Sequence, residues 1–147
     1  MSEQPRVLVC DDDPEIRRIL VVSLRQKALQ IDEAAEGQTA IEMLRENRYA
    51  VVLLDLMMPG VDGFAVLESI KMDPNPPVVL VVSGAGRQVL DRVDTSRIHG
   101  VVKKPFDPIE LAEVVAACAE IRGRSAFETM AVATMVAGAP LIALLKL

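Results

Sequence analysis

Short apolar runs recur along the chain and alternate with longer segments of helical periodicity. Residues 7–10, 51–54 and 78–82 contain no polar side chain, a pattern typical of strands that are buried on both faces of a sheet. Two weaker strands are predicted at 29–34 and 101–102. Because helical segments separate these strands, the pattern favours a parallel sheet covered by helices on both faces.

The segments between the strands have the apolar spacing of helices, and three of them begin at an Asp, a preferred N-cap residue. Five helices are predicted: after Asp13, over Gly37–Asn47, after Asp62, over Arg87–Val93 and after Asp107. In the first helix, Ile16, Ile19, Leu20 and Leu24 are expected to face the core, and Arg17, Arg18 and Arg25 to face water. Five strand–helix pairs predict an α/β protein with a doubly wound, five-stranded parallel sheet.

Length and composition narrow the function classes. The 147 residues suffice for one domain, and 16 basic against 21 acidic residues give a net charge of -5, which disfavours nucleic-acid binding. Cys10 and Cys118 lie in apolar runs, so two buried reduced thiols are favoured over a disulfide. The polar start contains no signal-peptide core, so a cytoplasmic protein is expected. The single histidine, His99, is expected in a surface loop.

Polar side chains follow four of the predicted strands. Asp11 and Asp12 follow the first strand, Asp55 the third, Ser83 the fourth and Lys104 the fifth. The carboxyl ends of parallel strands share one edge of a sheet, so these side chains are expected to converge. Mg²⁺ relieves the repulsion between the carboxylates, and a lysine and a hydroxyl can meet phosphoryl oxygens. The set predicts in-line phosphoryl transfer to the carboxylate of Asp55.

Four segments resemble the signatures of the response-regulator receiver domain. They are VLVCDDD at 7–13, LLDLMMPGVDG at 53–63, VVSGA at 81–85 and KKPF at 103–106. The resemblance extends from about Arg6 to about Arg122 and implies a flavodoxin-like sheet of strand order 2-1-3-4-5. We therefore expect a receiver domain at residues 1–122, followed by an extension at 123–147.

The resemblance also implies the ligands of the metal site. Asp55 is the expected phosphoacceptor, which receives its phosphoryl group from a histidine kinase or a phosphotransfer protein. Asp11, Asp12 and Asp55 are the expected side-chain ligands of Mg²⁺, with Asp12 the more direct of the acidic pair. The backbone carbonyl of Met57 is the further expected ligand.

Ser83 and Lys104 are expected, on the same resemblance, to bind the phosphoryl group after transfer, with a cis peptide bond before Pro105. The chain is then not an enzyme in the usual sense but a phosphoacceptor that catalyses its own phosphorylation and slow dephosphorylation. Its output is expected to be a contact with a downstream protein, near the fourth helix and last strand, without a DNA-binding output domain.

One position departs from the family pattern, and two others are expected to affect the lifetime of the phosphoryl group. Val101 stands where receivers usually carry a Tyr or Phe that turns inward on activation, so an output that depends on an aromatic switch is in doubt. Met57 and Ala85 occupy the positions whose side chains set the lifetime of the phosphoryl group. Neither side chain can hold an attacking water molecule, so slow self-dephosphorylation is expected.

Residues 125–147 are strongly apolar and are expected to form a helix. A helix docked on a partner or in a homodimer is favoured over one packed within the chain, and membrane association is the least favoured. Two other functions remain open. A small phosphohydrolase would use an Asp nucleophile after the first strand, but leaves Asp55 unexplained. A degenerate receiver would serve only as a docking module, which the complete set of Asp, Ser and Lys disfavours.

Overall fold

A parallel sheet forms the centre of the molecule in the computed structural model, which describes residues 4–84, 91–93, 96, 98–121 and 142–144. The strands are β1 (Arg6–Cys10), β2 (Gln30–Ala34), β3 (Val51–Leu54), β4 (Val78–Ser83), β5 (Gly100–Lys103) and β6 (Ile142–Leu144). The helices are α1 (Pro14–Arg25), α2 (Gly37–Glu46), α3 (Gly63–Lys71) and α4 (Pro108–Ile121).

The strand order is β2-β1-β3-β4-β5-β6, in which the first five strands are parallel and β6 runs antiparallel to β5. The five parallel strands confirm the predicted 2-1-3-4-5 order. β1 and β3 are neighbours, and Cys10 pairs with Leu54 at their carboxyl ends. The residues that follow these two strands therefore start from adjacent points on the same edge of the sheet.

Two apolar clusters lie on opposite faces of the sheet. Val7 and Val9 belong to the cluster that includes residues of α1 and α4, whereas Leu8 and Cys10 belong to the cluster that includes residues of α2 and α3. This alternation follows from the two-residue period of side chains along a strand. Both clusters draw on β1, β3 and β4, which explains why these runs contain no polar residue.

The predicted helix starts are confirmed by capping bonds. The Asp13 carboxylate accepts from the N–H groups of residues 15 and 16, and the Asp62 carboxylate accepts from the N–H of residue 65. The Asp107 carboxylate likewise accepts from the N–H groups of residues 109 and 110. Each cap satisfies helix amides that have no partner within the helix.

The prediction for the buried face of α1 was partly wrong. Leu20, Val21 and Leu24 are buried, but Ile19 is 42% exposed. Successive side chains of a helix are rotated by about 100°. Ile19 therefore lies outside the buried stripe, which is centred between Leu20 and Leu24. Val21 takes the inward position instead.

The helical prediction for the C-terminal extension was wrong for Ile142–Leu144, which form a strand. β5 has a neighbour on one side only among the parallel strands, and β6 pairs with its remaining backbone groups. The rest of residues 123–147, including the domain boundary, lies outside the described residues. So does most of the predicted helix Arg87–Val93, of which the described residues, 91–93, form a turn. No helix in the described part of the chain is both long and apolar enough to span a bilayer.

The prediction that His99 lies in a surface loop was wrong. The residue is half-buried and directly precedes β5. Its N–H donates to the carbonyl of Val79 at 2.8 Å, and its Nδ1 accepts from the N–H of Val79 at 3.0 Å. Nδ1 can accept this bond only as the neutral imidazole, and burial lowers the pKa of His99. His99 thus joins the beginnings of β4 and β5 through its uncharged form.

Acidification is expected to destabilise the protein through His99. Its pKa is lowered by folding, so the unfolded state binds more protons below the ordinary value of 6.5, and stability falls as pH drops through and below that value. His99 contributes at most about 1.4 kcal/mol per pH unit to the slope of the unfolding free energy against pH. Denaturant unfolding between pH 7.5 and 5 measures it. The slope should be smaller in His99→Gln, which shares every other titrating group; equal slopes would contradict the expectation.

Candidate phosphoacceptor site

Asp55 follows the last residue of β3 at the carboxyl edge of the sheet. Its N–H donates to the carbonyl of Cys10 at 2.9 Å, which continues the pairing of β3 with β1, and the residue is 6% exposed. The N–H of Met57 donates to Asp55 Oδ1 at 3.1 Å. One bond fixes the backbone of Asp55 against β1 and the other orients its carboxylate, so the carboxylate is held at the edge of the sheet.

Asp11, Asp12 and Asp55 converge as the sequence predicts. Each offers a carboxylate oxygen, and these oxygens lie within 4.8 Å of one another. Asp11 is buried and Asp12 exposed, so the cluster opens to solvent on the side of Asp12. The N–H of Asp13 donates to Asp11 Oδ1 at 2.9 Å, which orients the buried carboxylate.

Lys104 reaches the acidic cluster from the end of β5. Its Nζ lies 2.7 Å from Asp11 Oδ2 and 3.5 Å from Asp55 Oδ2. The Lys104 N–H donates to the carbonyl of Ser83 at 3.2 Å, and the Lys104–Pro105 peptide bond is cis, as the resemblance implies. The ammonium group therefore neutralises part of the charge of the cluster.

Ser83 is the last residue of β4 and is 3% exposed. It pairs in register with Lys103, so β4 and β5 end side by side and bring Ser83 and Lys104 to the same edge. Ala85 lies outside the described residues. Met57 is 57% exposed beside the cluster, and Val101 is a buried residue of β5.

The charges of the site depend on one another. Burial raises the pKa of Asp55 above its ordinary value, although the Met57 N–H and the charge of Lys104 oppose the shift. Burial acts against the charged form of Lys104, but its hydrogen bond to Asp11 and the two carboxylates raise its pKa overall. Ionised Asp55 is thus held at a cost in free energy that a second cation would lower.

The donor set fits Mg²⁺. Three carboxylates supply oxygen ligands, which this ion prefers, and the exposed side at Asp12 leaves room for water molecules or a phosphoryl oxygen to complete an octahedral shell. The set has no histidine or thiolate, the ligands typical of zinc and copper sites. The buried Cys10 thiol nearby lies 3.8 Å from the Met58 sulfur, and burial raises its pKa to about 12.

Arg17 is a site residue that the sequence reasoning missed. It was expected to face water, but its Nη1 donates to the carbonyl of Asp11 at 2.7 Å and its Nε lies 3.5 Å from Glu33 Oε1. It thereby joins the backbone of the acidic loop, which lies between β1 and α1, to Glu33 of β2. Its position on the helix, between Leu24 and Val21 in angle, was the available signal.

Two close backbone approaches also support the site and went unpredicted. A Cβ atom placed on Gly63 would lie 2.4 Å from the carbonyl oxygen of Asp55, and one on Gly37 would lie 2.0 Å from the carbonyl oxygen of Val61. The start of α3 therefore packs directly against the acceptor residue. Only glycine fits at these two positions.

Comparison with known proteins agrees with this fold. Residues 7–116 match the response regulator receiver domain family. The transcriptional regulatory protein SrrA of Staphylococcus aureus is 33% identical over an alignment of 112 residues that covers 71% of this chain and 44% of that protein. This chain thus spans about half the length of the curated relatives it matches.

Two solved receivers resemble the chain in structure. The receiver domain of the Francisella response regulator 1452 has a TM-score of 0.70 at 27% identity and covers 80% of this chain and 98% of its own. The Thermotoga maritima response regulator TrrA, solved in complex with Mg²⁺ and BeF, has a TM-score of 0.70 at 28% identity and covers 78% of this chain and 99% of its own.

The chain belongs to the response regulator receiver domain family of two-component systems. Phosphorylation on Asp and Mg²⁺ binding at an acidic pocket are typical of this family, whose members interact with histidine kinases and phosphotransfer proteins.

Proposed function

We propose that this chain accepts a phosphoryl group on Asp55 from a histidine kinase or a phosphotransfer protein and thereby switches a protein-interaction surface. The observation that carries the proposal is the convergence of Asp11, Asp12 and Asp55 beside Lys104 at one edge of the sheet. Asp55 is the proposed acceptor because its carboxylate follows the central strand β3 and lies near both the acidic pair and Lys104.

Each residue of the site has a proposed role. Asp11, Asp12 and Asp55 hold Mg²⁺ with the Met57 carbonyl, and the ion supplies positive charge for the transferring phosphoryl oxygens. Lys104 shifts from Asp11 to a phosphoryl oxygen on Asp55. The movement is short, because Lys104 Nζ already lies 2.7 Å from Asp11 Oδ2 and 3.5 Å from Asp55 Oδ2.

Ser83 completes the proposed set because its hydroxyl, at the end of β4, donates to another phosphoryl oxygen. Since Ser83 ends β4 and Lys104 directly follows the neighbouring strand β5, binding the same group draws the ends of β4 and β5 together. A local charge change thus acts on the sheet edge at β5.

The proposed output is a contact with a downstream protein rather than with nucleic acid. The net charge of -5 opposes attraction to a phosphate backbone. Val101, at the position of the switch aromatic, is buried and small, so the proposed signal passes through Ser83, Lys104 and the strands that carry them. With a kinase partner of this kind, the proposed location of the chain is the cytoplasm.

Incubation with acetyl phosphate and Mg²⁺, followed by intact-mass analysis, tests the proposal. We expect the mass to rise by one phosphoryl group, peptide mapping to place it on the peptide that contains Asp55, and EDTA to prevent it. No mass change with Mg²⁺ present would refute the proposal. A phosphoryl group on the peptide of Asp11 and Asp12 would favour the phosphohydrolase instead.

The phosphoryl group on Asp55 is expected to be long-lived. The Met57 side chain is exposed beside the site and offers no hydrogen bond to an attacking water molecule. Loss of the added mass after removal of the phosphodonor measures the lifetime. Met57→Asn should shorten it about tenfold, because an amide can orient a water molecule. A wild-type half-life of seconds would contradict the expectation.

A further inference from the structure

The outer edge of β5 is occupied by a strand from the chain's own C-terminal extension. Gly100, Val101 and Val102 pair with Leu144, Ala143 and Ile142 in antiparallel register. Without β6, β5 would end the sheet with a row of unpaired N–H and C=O groups. Such an edge is a template for another strand, and proteins recognise extended segments in this way.

β5 connects this edge to the acidic site. Val101, at the switch position, lies in the middle of the segment that β6 covers. Lys104 follows the strand directly and contacts the carboxylates of Asp11 and Asp55. A change in the position of Lys104 therefore acts on a strand whose other edge is held by β6.

The two neighbours of β5 hold it unequally. β4 pairs with it at four positions, and bonds from Lys104 to Ser83 and between His99 and Val79 extend the pairing at both ends. In the described part of the extension, β6 pairs with it at three positions. If the end of β5 moves with Lys104 toward a phosphoryl group, the shorter ladder is the one expected to break.

We propose that the outer edge of β5 is a strand-accepting interaction surface, and that residues 142–144 are a removable cover that leaves when Asp55 is phosphorylated. The proposal rests on the proposed function of Asp55. The ligand of the uncovered edge is an extended apolar segment of a partner protein, of the kind that the cover itself supplies with Ile142, Ala143 and Leu144.

Backbone amide exchange of the full-length protein, measured by NMR, tests the cover. The Lys104 N–H bonds to Ser83 on β4. Because successive amides of a strand point to opposite neighbours, the Val102 N–H also faces β4, whereas that of Val101 faces β6. Val101 thus reports on the cover, and Val102 is the internal reference.

Ala143→Pro removes the backbone N–H opposite Val101, and Ala143→Val keeps it with a residue that favours strands. We expect Val101 to exchange at least about tenfold faster in Ala143→Pro than in the wild type, with Val102 and the Ala143→Val variant unchanged. Equal exchange of Val101 in Ala143→Pro and the wild type would refute the cover.

Phosphorylation then tests its release. With acetyl phosphate and Mg²⁺ in excess, and with phosphorylation of Asp55 verified by mass, the wild type should reach the exchange rate of Ala143→Pro at Val101. Protection that persists in verified phosphorylated protein refutes the release but leaves the phosphoacceptor function intact. Absence of the mass change refutes the proposed function itself. Persistent protection in a protein that light scattering shows to be a dimer would assign the strand to a second copy.

Discussion

Asp55→Asn is expected to abolish phosphorylation by acetyl phosphate while the fold stays intact. The amide keeps the shape of the side chain and can still accept the Met57 N–H bond, but it is no nucleophile toward phosphorus. Intact mass after incubation with Mg²⁺ and the phosphodonor should show no added phosphoryl group. Circular dichroism at the same temperature verifies that the variant is folded.

Asp13→Asn is the matched control, since Asp13 lies in the same acidic loop but caps α1 instead of joining the metal cluster. An Asn serves as an N-cap as well as an Asp, so this variant should be phosphorylated like the wild type. If Asp55→Asn were phosphorylated and hydrolysed the phosphodonor, the nucleophile would lie elsewhere, and the phosphohydrolase with a first-strand Asp would be the better account.

Asp55→Asn is also expected to change the stability of the protein. Folding raises the pKa of Asp55 through burial, so stability from this group falls as pH rises through its ordinary value of 3.8 and beyond. At neutral pH and without Mg²⁺, Asp55→Asn should therefore unfold at a higher denaturant concentration. Mg²⁺ at 100 times its dissociation constant should stabilise the wild type by about 2.7 kcal/mol and the variant by less.

Gly63→Ala is expected to cost about 3 kcal/mol or more of the free energy of unfolding. The added Cβ would lie 2.4 Å from the Asp55 carbonyl oxygen and 2.5 Å from the Leu56 Cα, both backbone atoms. No side-chain rotation relieves such contacts, so the start of α3 or the end of β3 must move. Urea unfolding measures the loss, and phosphorylation of Asp55 should slow because its backbone is displaced.

Gly84→Ala is the matched control for this substitution. Its Cβ would have its nearest neighbour, the Lys104 Cβ, at 3.9 Å, an ordinary van der Waals contact. The same chemical change should therefore alter the unfolding free energy by less than about 1 kcal/mol. Equal losses in the two variants would mean that glycine flexibility, and not the backbone contact at Gly63, sets the cost.

Local sequence determined the elements and the candidate residues. The unbroken apolar runs 7–10, 51–54 and 78–82 mark β1, β3 and β4, because a strand buried on both faces has no place for a polar side chain. Asp55 is recognisable in the sequence because it ends such a run. The helix caps were predictable since they depend on bonds between near neighbours in the chain.

Only the tertiary structure decided which elements meet and at what distance. The position of Arg17 over the Asp11 carbonyl, the imidazole of His99 on the Val79 amide and the packing of Gly63 against Asp55 all join residues from different elements. Arg17 was expected to face water and His99 to lie in a surface loop, because a polar residue in isolation favours solvent. A specific buried partner reverses that preference, and local pattern does not identify the partner.

The C-terminal extension shows most clearly what the sequence determines and what the tertiary structure decides. Its apolar composition determined that it needs a partner surface, but the same composition suits a helix or a strand. The open edge of β5 decided in favour of a strand at Ile142–Leu144, because that edge offers backbone groups for pairing. A pattern within one segment records how much apolar surface must be buried, whereas the geometry of the distant surface that buries it exists only in the folded chain.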